Sequence, residues 1–299
     1  MAPEPGGRIR SIAQWKAAGR VRDLCGIQVF TLVTGPHGEE LAEPLLVIHG
    51  FPTCSYDYRL VVDSLAADRM VLLLDLPGFG LSAKPDIRYS VELHADVVMA
   101  YVSETGCDRL ALLTHDMGDT VGGELLARQL EGDWPVSVTR RVVTNGSIYL
   151  EMARLTDGQK LLLALDDAQT PRGPGSEDIA AALAATMAPA SLGGRDGTSD
   201  DAELVCAGNG ASMLPRTIRY VEDRRRAEGR YTGAIESHPS PLAVVWGTED
   251  PIAVREMASR LHRRRPDSTL SWLEGVGHYP MLEAPEAFST TVASALGSP

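Results

Sequence analysis

The sequence predicts a doubly wound α/β fold: a mostly parallel sheet with helices on both faces and an inserted helical cap. Three observations carry the prediction. Short apolar runs alternate with amphipathic stretches. Nearly every run stops at a glycine or a turn residue. The residues with chemistry to offer fall just past those stops, at the carboxyl ends of the strands, where ligands sit in such sheets.

Seven of the strands can be placed. Ile27-Gln28-Val29-Phe30-Thr31-Leu32-Val33 partly alternates and reads as an antiparallel edge strand. Leu45-Leu46-Val47-Ile48, Met70-Val71-Leu72-Leu73-Leu74, Leu110-Ala111-Leu112-Leu113, Val142-Val143-Thr144, Leu242-Ala243-Val244-Val245-Trp246 and Thr269-Leu270-Ser271-Trp272-Leu273 follow. Most are apolar on both faces, as strands covered by helices on both sides must be. Amphipathic helices fit 54–67, 90–105, 117–131, 251–264 and 283–296.

The interval from Tyr149 to Glu236 breaks this rhythm. It has no strand-like run, and it carries two pieces rich in Gly, Pro or Asp, Asp166–Glu177 and Ser191–Asp201. A structureless loop of that length is rare inside one domain. The interval therefore reads as a helical cap, residues 149–236, inserted into a core of residues 1–148 and 237–299. No internal repeat is visible.

Composition narrows the function. Of 299 residues, 44% are apolar and 23% charged, an ordinary soluble balance. No apolar run approaches the roughly 18 residues of a membrane span, and Met1–Arg8 has no signal-peptide character. Cys25, Cys54, Cys107 and Cys206 lie far apart, outside any CxxC pair or disulfide framework. A reducing, cytoplasmic location is expected. Acidic residues outnumber Lys plus Arg by 40 to 28, a net charge of −12. That disfavours nucleic acid and anionic membrane surfaces. The expected partner is a small neutral organic substrate, and a homodimer is the assembly allowed for. The His and Cys spacing implies no metal, and no organic cofactor is implied.

Four loops carry the candidate chemistry. Leu113-Thr114-His115-Asp116-Met117-Gly118-Asp119 joins a buried strand to a helix. A fairly small residue two before Asp116 and a glycine two after it make a turn too tight for bulk. Such a turn pushes its central side chain out above the sheet. A carboxylate held there can attack an electrophilic sp³ carbon and form an ester; alternatively, Asp116 is simply the N-cap of the next helix. His49-Gly50-Phe51-Pro52 follows another strand. The Phe51 and Met117 amides could form an oxyanion hole, and Pro52 could fix its loop, with a cis bond permitted. His49 reads foremost as a buried structural histidine, with the pocket as its other possible place. Trp246-Gly247-Thr248-Glu249-Asp250-Pro251 and Gly275-Val276-Gly277-His278-Tyr279-Pro280 end two neighbouring strands. Asp250, preferred to its rival Glu249, can orient His278 and stabilise its cation. The chain order nucleophile, acid, histidine lifts the set above isolated turn residues.

These motifs, with Asp75-Leu76-Pro77-Gly78-Phe79-Gly80-Leu81-Ser82-Ala83-Lys84-Pro85, resemble the α/β-hydrolase superfamily from about Cys25 to Leu296. An aspartate in the elbow resembles epoxide hydrolases and haloalkane dehalogenases rather than lipases and esterases. His49–Asp57 and His115–Asp119 look closest to the mesoderm-specific-transcript-like branch. The resemblance implies that the mostly parallel sheet is eight-stranded, and it implies an Asp116–His278–Asp250 triad working through a covalent alkyl ester. Haloalkane dehalogenases place a halide-binding tryptophan where this chain has Met117, and commonly a second donor where it has Phe51. Fluoroacetate dehalogenase-like enzymes would want an arginine beside the nucleophile. Epoxide opening instead needs a proton donor, which epoxide hydrolases take from cap tyrosines. Tyr220 is the candidate donor, and Tyr149 and Tyr231 are the other cap tyrosines that could reach the pocket. The reading is epoxide opening to a diol; a haloalkane dehalogenase or a non-hydrolytic binding or biosynthetic protein on the same fold are the alternatives.

Overall fold

A computed structural model describes residues 11–36, 42–189 and 198–297. Met1–Arg8 and most of the Ser191–Asp201 piece lie outside them. Eight strands form one sheet: β1 Arg20–Leu24, β2 Ile27–Thr34, β3 Ala42–Ile48, β4 Arg69–Leu74, β5 Arg109–His115, β6 Ser137–Thr144, β7 Leu242–Gly247 and β8 Thr269–Leu273. Their order is β1-β2-β4-β3-β5-β6-β7-β8. β2 runs antiparallel to β1 and β4, and every later pairing is parallel. The predicted fold class is the one observed.

β1 is the strand the apolar pattern does not reveal. Its sequence, Arg-Val-Arg-Asp-Leu, is mostly exposed, because an edge strand needs no apolar face to pair. It joins β2 through Cys25 and Gly26, both at positive φ. The central strands are the opposite case. Leu45, Leu46, Val47 and Ile48 of β3 and Leu110 to Leu113 of β5 are essentially inaccessible. Each such side chain contributes roughly 1.5–3 kcal/mol by leaving water.

The helices are α1 Ile12–Ala18, α2 Val62–Leu65, α3 Val91–Thr105, α4 Met117–Glu131, α5 Asp157–Ala164, α6 Ser176–Ala184, α7 Thr198–Cys206, α8 Gly210–Thr217, α9 Tyr220–Ser237, α10 Arg255–Arg264, α11 Pro280–Glu283 and α12 Pro285–Leu296. Local chemistry sets their ends. Ser90 accepts the Leu93 N–H to start α3, and Gly106 in the left-handed region stops it. The predicted 54–67 helix is instead a 3₁₀ turn, Ser55–Leu60, followed by α2. The Ser55 backbone N–H and hydroxyl both bond to Asp75, which pins the start of that turn to the loop after β4. Between β6 and β7 the described residues hold helices and turns and no strand. α9 lies along α4, where the backbone of Tyr231 comes so close that a Cβ on Gly123 would sit 2.8 Å from its carbonyl oxygen. No described helix is long and apolar enough to cross a membrane.

Candidate active site

Strand register brings the four loops together. Ile48 of β3 pairs with Thr114 of β5, His115 with Thr144 of β6, and Thr144 with Val245 of β7. Gly247 of β7 then pairs with Leu273 of β8. The residues that follow each strand therefore emerge side by side along one edge of the sheet.

Asp116 sits between β5 and α4 at φ 50°, ψ −115°, a strained conformation for a side-chain-bearing residue. Gly118 permits the turn. A Cβ there would lie 2.4 Å from the Ile48 carbonyl oxygen and 2.8 Å from that of His49, so only glycine lets α4 approach the end of β3 this closely. The carboxylate is buried, and its Oδ2 accepts the Phe51 N–H at 2.9 Å. Met117 is the first residue of α4, so its N–H is one of the orphan donors at the helix start. The Phe51–Pro52 peptide is cis.

His278 Nε2 lies 4.0 Å from Asp116 Oδ1, and His278 Nδ1 lies 2.8 Å from Asp250 Oδ2. Asp250 Oδ1 accepts the Ile252 and Ala253 amides at 2.7 and 3.0 Å. All three residues are buried. Burial alone would push the His278 imidazole down. The Asp250 carboxylate, by charge and hydrogen bond, and the Asp116 charge outweigh it and lift the ring to about 9. A folded value above the ordinary 6.5 means that His278 adds stability fully below that pH, and that this share is lost as pH rises through about 9. Thermal melts between pH about 6 and about 10 should show Tm falling through this window, and His278→Gln should flatten that fall. An equal fall in the variant would show that other groups cause it.

Three supporting residues escaped the sequence reading. Asn145, at the end of β6 with φ 45°, donates to Asp250 Oδ2 at 2.8 Å and accepts the Gly247 N–H at 3.0 Å. It thus fixes the acid loop. His115 Nε2 lies 2.7 Å from the His278 carbonyl oxygen. Glu283 accepts the Gly277 and Tyr279 amides and that of Ala188 at 2.8–2.9 Å, which ties the histidine loop to the segment after α6. The Asn-Gly pair after a strand was the one available signal for Asn145.

A cavity of about 860 Å³ opens above these residues. His278, Phe51, Pro52 and Tyr279 line its floor, and residues of α5, α6 and α8 line its walls, Leu161, Leu162, Ile179 and Leu214 among them. A smaller one of about 390 Å³, between residues 150–155 and α9, holds none of Asp116, Asp250 and His278. The larger cavity is therefore the candidate substrate site.

Three expected pocket residues lie elsewhere. His49 is fully buried, with Nδ1 2.8 Å from the Gly50 carbonyl oxygen and Nε2 accepting the Leu76 N–H at 2.9 Å. Both ring nitrogens are spent on holding backbone. The Tyr149 hydroxyl donates to Glu236 at 2.8 Å, with Arg260 over the ring. The Tyr231 hydroxyl donates to Glu92 of α3 at 3.3 Å. Neither phenol faces the cavity. Tyr220 is not among the cavity's lining residues either, but it is buried beside one of them: its ring centroid is 5.8 Å from that of Phe51, and burial and then the charge of Asp116 raise its phenol. It packs on Phe51, whose N–H meets the Asp116 carboxylate.

An eight-stranded sheet with a strained carboxylate elbow, a facing amide and a histidine–carboxylate pair defines a protein of the α/β-hydrolase class. The chain belongs to the alpha/beta hydrolase family, whose model matches residues 45–291. It is 34% identical over 293 residues to the putative hydrolase LipZ of Mycobacterium tuberculosis, covering 96% of this chain and 98% of that one. It is 29% identical over 288 residues to the mesoderm-specific transcript homolog protein of Bos taurus, covering 93% and 85%. Among solved structures, an alpha/beta hydrolase fold protein from Burkholderia ambifaria superposes with TM-score 0.75 at 22% identity, covering 92% of this chain and 97% of that one. A thermophilic esterase from Thermogutta terrifontis gives 0.72 at 18%, covering 92% and 96%. These two likenesses bear on fold alone.

Proposed function

We propose that this hydrolase opens an epoxide to a diol through an ester on Asp116. The observation that carries the reading is a carboxylate in the elbow, with His278 and a phenol beside it. An elbow carboxylate attacks an sp³ carbon and yields an ester that water then cleaves at the acyl carbon. Tyr220 protonates the oxygen released from the ring. His278, oriented by Asp250, takes a proton from the attacking water. The Phe51 and Met117 amides hold the oxyanion on the Asp116 carbonyl carbon.

The helices of residues 149–236 act as the lid, with α5, α6 and α8 enclosing an apolar substrate. The Met117 side chain is fully buried and offers no donor to a departing halide, which favours an epoxide over a haloalkane. The substrate is small, neutral and organic, met in the cytoplasm. A panel of epoxides, haloalkanes and nitrophenyl esters tests this. Diol formation from epoxides that vanishes in Asp116→Ala is expected; halide release with no diol, or diol formation that survives Asp116→Ala, would refute it.

A further inference from the structure

We propose that Arg224 is a positioning residue for the proton transfer, stabilising the phenolate that Tyr220 becomes when it protonates the ring oxygen. This rests on the reading of Asp116 as nucleophile and Tyr220 as acid, and deepens it.

The step leaves a charge to account for. Asp116 forms a bond to one epoxide carbon, the bond from that carbon to the ring oxygen breaks, and the electron pair stays on oxygen. That oxygen takes the Tyr220 proton. Water later attacks the ester carbonyl carbon, giving one proton through His278 to the departing alkoxide. Its second proton is released as the Asp116 carboxylate is restored, and it resets Tyr220. In between, a buried phenolate must persist. Tyr149 and Tyr231 cannot share it, since Glu236 and Glu92 hold their hydroxyls.

Arg224 lies one helical turn beyond Tyr220 on α9. Its Cζ stands 5.3 Å from the centre of the Tyr220 ring, within cation–π reach. The side chain is 3% exposed. Its Nε and Nη2 both donate to the Thr120 hydroxyl of α4, at 2.9 and 2.5 Å, so the guanidinium is aimed but not neutralised. On the same helix Arg226 and Arg230 have carboxylate partners, and Arg219, just before it, has one too. Among the described residues Arg224 has no ion pair. Asp119 of α4 is also nearby. Burial and the charge of Asp116 push its carboxyl well up, toward the neutral form, against the pull of Arg224. Tyr220 therefore faces two charges, Asp116 and Arg224, and they act on its phenol in opposite directions. Once Asp116 becomes a neutral ester, only the cation remains. A fixed charge aimed at where negative charge develops needs no reorganisation during the reaction.

The test reads ester formation by intact mass in single turnovers of an epoxide, in a His278→Gln background that cannot clear the ester. Arg224→Gln should slow ester formation about tenfold, a factor in keeping with a desolvated cation–π contact. Arg224→Lys should recover most of it. In a Tyr220→Phe background, Arg224→Gln should change little further, because the residue acts through the phenol. Equal slowing with and without Tyr220, or no slowing at all, would overturn the inference. Thermal unfolding checks each variant. If Arg224→Gln does not fold, Thr120→Val, which removes the group that aims the guanidinium, is read against the same expectations. Absence of any Asp116 adduct in His278→Gln alone would refute the nucleophile reading first, and this inference with it.

Discussion

His278→Gln is expected to perform the first half of the reaction and stop. Incubated with an epoxide, it should gain the full mass of the substrate on the peptide carrying Asp116, because opening the ring adds every atom of the epoxide. A haloalkane would leave only its alkyl group, so the mass increment also identifies the substrate class. Steady-state turnover should fall roughly 10²–10⁴-fold, the usual worth of a positioned base. Asp116→Ala should show no adduct and no turnover. The wild-type enzyme used in excess over substrate in ¹⁸O-water should place the label in Asp116 rather than in the diol, since water attacks the carbonyl carbon and not the alkyl carbon. Label in the diol under those conditions would mean that water attacks the epoxide directly and that Asp116 is not the nucleophile.

On the proposed ester mechanism, the electrostatics set the order of the two halves. Burial opposes the charge on the imidazole, but the carboxylates of Asp250, Asp116 and Glu283 outweigh it and the ring stands near 9, so it holds its proton at neutral pH and is a poor base. The proposed alkylation neutralises Asp116. One of the charges holding the proton on His278 disappears, and the ring's pKa drops at the moment a base is required. Asp250 continues to orient it through Nδ1.

Much of the fold, and the meeting of the loops that carry Asp116, Asp250 and His278, was legible in the sequence, for physical reasons that differ from element to element. β3, β5 and β7 are covered on both faces, so burial writes them as unbroken apolar runs; β1 is an edge strand and left no such mark. The elbow was legible because its sterics restrict residue size on both sides of Asp116. Tyr149 and Tyr231, and His49 only so far as it was placed in the pocket, misled for the opposite reason. A histidine or tyrosine carries the same hydrogen-bonding groups whether it meets a ligand or spends them on a neighbour, and only the fold supplies Gly50, Glu236 and Glu92 as partners. The helices between β6 and β7 are legible as the absence of strand-like runs there. Which of them line the cavity depends on packing between segments far apart in sequence, and the Arg224–Thr120 contact spans such a separation.

The elbow's sterics give the second large effect. Gly118→Ala adds one methyl group, yet its Cβ would lie 2.4 Å from one backbone carbonyl oxygen of the β3 end and 2.8 Å from the next. These atoms belong to a buried central strand and cannot swing aside as a side-chain tip could. The first turn of α4 must lift instead, and it carries Met117 and hence one of the two proposed oxyanion donors. Overpacking of this kind costs about 1–3 kcal/mol, measurable as a shift of the urea midpoint. Displacing the donor and Asp116 by about 1 Å should cost on the order of 100-fold in turnover. Gly233→Ala in α9 is the matched control, since its Cβ would meet nothing within 4 Å. There the same chemical change should leave activity intact and raise stability by about 0.5–1 kcal/mol, because alanine favours the helix. If Gly118→Ala kept full turnover, the close approach of α4 to β3 would not be what sets the geometry at Asp116. The nucleophile would then have to be held by the Phe51 amide and His278 alone.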